Sequence, residues 1–126
     1  MINPALAFAA LLAIVLGIVH SWLGERRLIG PLLAPGSRDG LLARSAFSRS
    51  VLRFAWHITS LAWWGMGAVL ALLATMPLDT QGRLAVAAVA VTFFLTGIVI
   101  LITSRGRHLA WPVFVGIAGL SLTQVL

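Results

Sequence analysis

Cysteine and lysine are both absent from this chain of 126 residues, and carboxylates are scarce. Without cysteine there is no disulfide and no thiolate metal site. Nine arginines stand against three acidic residues, Glu25, Asp39 and Asp79, and charged residues make up 10% of the chain. Soluble domains carry about 25%. All three carboxylates fall in connections or at the ends of apolar runs, none deep inside one. A proton-coupled exporter is therefore disfavoured, since such a protein usually keeps an acid within the membrane. No internal repeat and no histidine-rich ligand spacing is present.

What is present is apolar: 60% of the residues are hydrophobic. A soluble chain of this length buries only about two-thirds of its surface, so lipid is the natural solvent. Nine arginines without lysine, together with abundant alanine, leucine and glycine, suggest a GC-rich bacterial genome. A membrane span needs about 20 mainly apolar residues. Four runs qualify or nearly so: Pro4 to Leu23, Val51 to Met76, Leu84 to Thr103 and Leu109 to Leu126. The last is short and carries Pro112, which a first helical turn tolerates. The expected fold is all-α, a single domain over residues 1–126: an integral membrane, up-and-down four-helix bundle. The first run lacks a basic stretch ahead of it, and its arginines follow it, which fits an uncleaved anchor.

Arginine placement gives the orientation. Arg26, Arg27, Arg38, Arg44, Arg49, Arg53, Arg105 and Arg107 fall in or beside the first and third connections, and only Arg83 falls on the opposite side. By the positive-inside rule the arginine side is cytoplasmic. The expected location is a bacterial cytoplasmic membrane, with both termini periplasmic or extracellular. The connections MPLDTQGR and SRGRH are tight, so the second, third and fourth helices are expected as antiparallel neighbours. Asp79 or Thr80 is the expected N-cap of the third. The long first connection, residues 24–50, is expected to be cytoplasmic or interfacial, with Leu28, Ile29, Leu32 and Leu33 in the headgroup layer.

Small residues mark helix contacts in lipid. Ala9, Ala13, Gly17 and Ser21 do so on the first helix, Gly65 and Gly67 on the second, and Gly116 and Gly119 on the fourth. Thr92, Thr96 and Thr103 share about one face of the third, suited to bonding back to carbonyls or across to a neighbour.

Ionisable groups inside spans are costly and mark function by default. His20, His57 and His108 lie far apart in sequence, yet an up-and-down bundle gathers all three near the cytoplasmic end. Arg49, Arg53, His57, Ser60 and Trp64 follow helical spacing, so they form one stripe turned away from lipid. Glu25 is placed to pair with Arg53, Arg105 or Arg107. Trp22, Trp56 and Trp111 fit an interfacial belt, and Trp63 and Trp64 lie deeper. Imidazole is a common metal ligand. His20, His57, His108 and Glu25 are thus a candidate site for a divalent metal, and His20 with His57 a candidate clasp for haem. Interfacial histidines satisfied by backbone or water are the competing reading.

The strings HSWLGERR (20–27), RFAWHITSLAWW (53–64) and SRGRHLAWP (104–112) resemble segments of small four-span bacterial integral membrane proteins of uncharacterised function. That resemblance implies the four-span fold and no chemistry. The expected role is a non-catalytic, lipid-interacting or accessory membrane component. Its arginines Arg26, Arg27, Arg49, Arg53, Arg105 and Arg107 would read anionic headgroups. The expected partners are membrane lipids, no nucleic acid, and a homo-oligomer or larger membrane complex. The alternatives are the metal- or haem-binding protein and an intramembrane enzyme acting on a lipid or isoprenoid.

Overall fold

A computed structural model describes residues 1–34 and 45–126, and every regular element among them is helical. Residues 35–44, Arg38, Asp39 and Arg44 among them, lie outside the described residues. Helix α1 (Pro4–Gly24) opens on a proline, whose missing N–H would have been an orphan in a first turn. Asn3 caps it, its Oδ1 accepting from the Ala5 and Leu6 N–H groups at 3.1 and 3.2 Å. The helix runs on through a π-helical turn (Glu25–Ile29) and a last turn (Gly30–Leu32). Pro31 offers no N–H to the carbonyl four residues back, which loosens the α-helical ladder there. Ile29 and Leu33 are buried while Leu28 is exposed, so only part of the expected interfacial set faces outward.

Helix α2 (Ala46–Ala74) begins at Ala46 rather than near Val51, because Ser45 caps it by accepting from the Ser48 N–H at 3.2 Å. Arg49 and Arg53 therefore stand on the helix. Helix α3 (Thr80–Thr103) is capped by Asp79, which accepts from the Gly82 N–H at 2.7 Å. Helix α4 (Trp111–Leu122) carries Pro112 in its first turn.

Within the fourth expected run, 109–126, the α-helix covers Trp111–Leu122. Helix α4 has 12 residues, about 18 Å of rise, against a hydrocarbon core of about 30 Å. Arg105 and Gly106 adopt positive φ to reverse the chain, and residues 107–110 are spent completing that connection. Three helices are long and apolar enough to cross a membrane: Pro4–Leu32, Ala46–Ala74 and Thr80–Thr103.

The helices alternate in direction. At one end Asn3 donates through its backbone N–H to the Ala74 carbonyl at 2.7 Å and through Nδ2 to Gln124 Oε1 at 2.7 Å. This ties the start of α1 to the ends of α2 and α4. Adjacency differs from expectation. Helix α1 packs between α2 and α4, and α3 packs on α4, while α2 and α3 meet only slightly despite their tight turn. The reason is the small-residue face of α1. Leu6, Ala9, Ala13, Gly17 and Gly24 are buried along it, and a Cβ added at Gly17 or Gly24 would run into the indole of Trp64 or Trp56. Gly67 of α2 approaches Ala10 and Ala13 in the same seam. Gly116 and Gly119 face open space, whereas Gly97 of α3 packs on Phe114 and Val115. The threonines of α3 bond back within their own helix: Thr92 to Ala88, Thr96 to Thr92 and Thr103 to Val99. Large apolar side chains such as Phe8, Leu11, Leu61, Leu72, Leu95 and Ile102 cover the outer sides.

Candidate functional site

The expected stripe on α2 faces α1, and its polar members form a chain of contacts. Arg53 Nη2 meets Glu25 Oε1 at 2.9 Å, and Glu25 Oε2 meets His57 Nε2 at 3.2 Å. His57 Nδ1 lies 2.9 Å from Ser21 Oγ, and Ser21 Oγ lies 2.9 Å from that of Ser60. Trp64 ends the stripe, Nε1 donating to the Ile14 carbonyl at 3.0 Å. Facing a carboxylate, His57 Nε2 carries a proton. The neutral ring then accepts from the Ser21 hydroxyl at Nδ1, while the doubly protonated ring donates to Ser21, which donates onward to Ser60. Ser60 is 1% exposed, so the chain ends in the packed seam and offers no through path.

Successive residues on a helix diverge by about 100°. With Ser21 given to His57, His20 is turned to the other side of the seam. Its ring stacks on Trp56 at 4.3 Å and meets Trp63 edge-on at 4.7 Å. Trp56 sits over Gly24, its Nε1 donating to the His20 carbonyl at 3.2 Å. Trp63 continues to Phe114 at 5.0 Å, and Phe114 to Phe93 at 5.8 Å. This run of rings joins all four helices. Trp56 is thus a packing element of the α1–α2 seam.

On the His20 side a cavity of about 420 Å³ opens at the arginine-rich end. All four helices contribute to it: Leu16, Val19, His20 and Leu23 from α1, Trp56, Thr59 and Trp63 from α2, Ile100 from α3 and Phe114 from α4, with Arg27, Leu28 and His108 at the connections. His20 Nε2 lies 3.1 Å from Thr59 Oγ1, whose own hydroxyl donates to the Trp56 carbonyl at 2.6 Å. Thr59 therefore accepts from His20 Nε2–H, and Nδ1 is the bare nitrogen. His108 Nδ1 accepts from the Ala110 N–H at 3.2 Å, which leaves Nε2 as its proton-bearing nitrogen.

The structure thus brings His57 and Glu25 together and sets His20 and His108 around a different space. The cavity lined by His20 and His108 excludes His57, and the two clefts lined by His57 exclude His20. Among the described residues no three of the His, Asp and Glu side chains converge on a metal position. Of the candidate arginines, Arg53 is paired with Glu25 and Arg26 lies over the Trp22 ring at 5.2 Å. Arg49 lines a cleft with Ser50, Arg53 and Phe54. Arg27 lines the four-helix cavity, and Arg105 and Arg107 are exposed on the α3–α4 turn. Sequence reasoning missed Ser21, Thr59 and the cavity role of Arg27. The i, i+4 spacing of Ser21 and Glu25 opposite the Arg53–His57–Ser60 stripe was the available signal for Ser21. Compared with protein-family models, curated proteins and solved structures, the chain matches none.

Proposed function

We propose that this chain is an integral protein of a bacterial cytoplasmic membrane, lying with its arginine-rich end inside, and that it acts as a non-catalytic, lipid-interacting component. One observation carries the reading. Arg26, Arg27, Arg49, Arg53, Arg105 and Arg107 gather at one end of a bundle with apolar sides, and among the described residues Arg83 alone stands at the other. Such a distribution matches the positive-inside bias and sets guanidinium groups at the depth of anionic headgroups. Arg26, held over Trp22, and the exposed Arg105 and Arg107 form the outer rim of this end.

The test is lipid selection. The purified chain is placed in nanodiscs of mixed anionic and zwitterionic phospholipid, and the lipids it retains are measured by native mass spectrometry. Enrichment of the anionic lipid is expected. Replacing Arg26, Arg105 and Arg107 together by glutamine should weaken that preference by about 1 kcal/mol for each arginine lost. Equal retention of both lipids by the natural chain would overturn the reading.

A further inference from the structure

We propose that the four-helix cavity binds a single amphiphile with a phosphomonoester head, the head meeting Arg27, His108 and His20 and the tail lying along the apolar wall. The proposal rests on the lipid-interacting reading and narrows it from a charged surface to one site. The rim arginines are exposed and select charge alone. The cavity differs in construction. It draws on every helix, and its volume of about 420 Å³ lies in the range of small-molecule sites between helices of bundles. Its walls are apolar and aromatic, with a few polar groups at the end that faces the headgroup layer.

Those polar groups select among heads. Among the described residues the Arg27 guanidinium has no partner, so its donors are available to phosphate oxygens in bidentate fashion. His108 presents Nε2–H, because the Ala110 N–H holds its Nδ1. His20 presents a bare Nδ1, because Thr59 holds its Nε2–H. The set therefore comprises two donors and one acceptor. The phosphate of a phosphodiester offers only acceptor oxygens to them, so any donor must come from hydroxyls farther along the head. A phosphomonoester also carries an ionisable P–O–H near neutral pH. It donates that proton to His20 Nδ1 or, with the proton transferred, accepts from the imidazolium. In the second case the O–H bond breaks and an N–H bond forms at Nδ1, and no other covalent bond changes. The tail is part of recognition, since Leu16, Val19 and Phe114 continue the cavity away from the charged end. Inorganic phosphate shares the head chemistry and lacks that contact.

The experiment uses the full chain in zwitterionic nanodiscs. Three probes are titrated: a phosphatidic acid, a phosphatidylglycerol and inorganic phosphate. The readouts are tryptophan fluorescence, which Trp56 and Trp63 at the cavity wall should report, and native mass spectrometry for stoichiometry. Saturable binding of one phosphatidic acid per chain is expected, at least about tenfold tighter than phosphatidylglycerol, as befits hydrogen bonds to charged groups. Arg27→Gln and His108→Asn should each weaken it about tenfold. The second variant keeps an acceptor for the Ala110 N–H while removing the Nε2–H donor. Unchanged thermal unfolding of both variants shows that folding is intact. Should either unfold, inorganic phosphate and phosphatidylglycerol competition on the natural chain gives the same discrimination. Equal affinity for the two lipids, insensitive to Arg27→Gln and lost only with the rim arginines, would overturn the cavity site and leave the lipid-interacting reading standing. Inorganic phosphate binding as tightly as phosphatidic acid would overturn the amphiphile. Binding of neither anionic lipid would overturn both readings.

Discussion

Ser60 is 1% exposed, and its hydroxyl meets that of Ser21, which also meets His57. Ser21 is therefore the joint of the polar seam, with Ser60 as a branch that ends there. In membrane proteins such interhelical hydrogen bonds contribute about 0.6 kcal/mol on average. Ser60→Ala should cost about that much in unfolding by denaturing detergent. Ser21→Ala should cost more, since two partners lose their contact. The double variant should match Ser21→Ala, because the described partner of Ser60 is already gone; additive costs would contradict this wiring. The order Ser21, His57, Glu25 is also that of a nucleophile, a base and an orienting carboxylate. A structural seam leaves Ser21 inert to a serine-directed fluorophosphonate. Labelling of Ser21 that vanished in His57→Gln would instead assign it to an enzyme. Of the two indoles that line that cleft, Trp64 has its Nε1 committed to the Ile14 carbonyl, which removes it as a stabiliser of developing negative charge.

Between elements, the seam of α1 and α2 depends on two indoles lying over two glycines. A methyl at Gly17 or Gly24 would collide with Trp64 or Trp56, while one at Gly116 or Gly119 would enter open space. Gly24→Ala should therefore destabilise by about 1–3 kcal/mol through overpacking. Gly119→Ala should be neutral or should stabilise by up to about 1 kcal/mol through helix propensity. Thermal unfolding in one detergent separates the two, and the reverse ranking would sink this picture of the seam. The sequence pattern made part of this legible. Apolar runs located the helices, Asp79 was readable as a cap, and the stripe from Arg49 to Trp64 was readable as an inward face. The partner of each face was not legible. Short loops favour sequential neighbours, but α1 displaces α3 from α2 because its small face admits tryptophan, a fit that depends on side-chain shape in three dimensions. His20 and Ser21 are neighbours in sequence, and their divergence on the helix sends them to opposite sides of the seam. The fourth run already reads as short, and its helix is shorter still because the apolar residues beside it belong to the connections.

Across the whole molecule, the arrangement is polarised. Asn3, Ala74 and Gln124 close one end with neutral hydrogen bonds, and the other end carries every described arginine except Arg83, the three histidines and the four-helix cavity. Three long apolar helices supply the sides, and α4, about 18 Å long, packs between α1 and α3 as an inner strut. Membrane insertion with the arginine end inside makes one description of these features: apolar flanks in hydrocarbon, guanidinium groups among headgroups and the cavity mouth at headgroup depth. The absence of native cysteine makes the deciding measurement clean. Gln81→Cys, at the start of α3, and Arg107→Cys, on the α3–α4 turn, are each treated in intact cells with a membrane-impermeant maleimide. The account expects Gln81→Cys to be labelled at once and Arg107→Cys to be labelled only after the membrane is opened. Labelling of Arg107→Cys in intact cells, with or without labelling of Gln81→Cys, would contradict it.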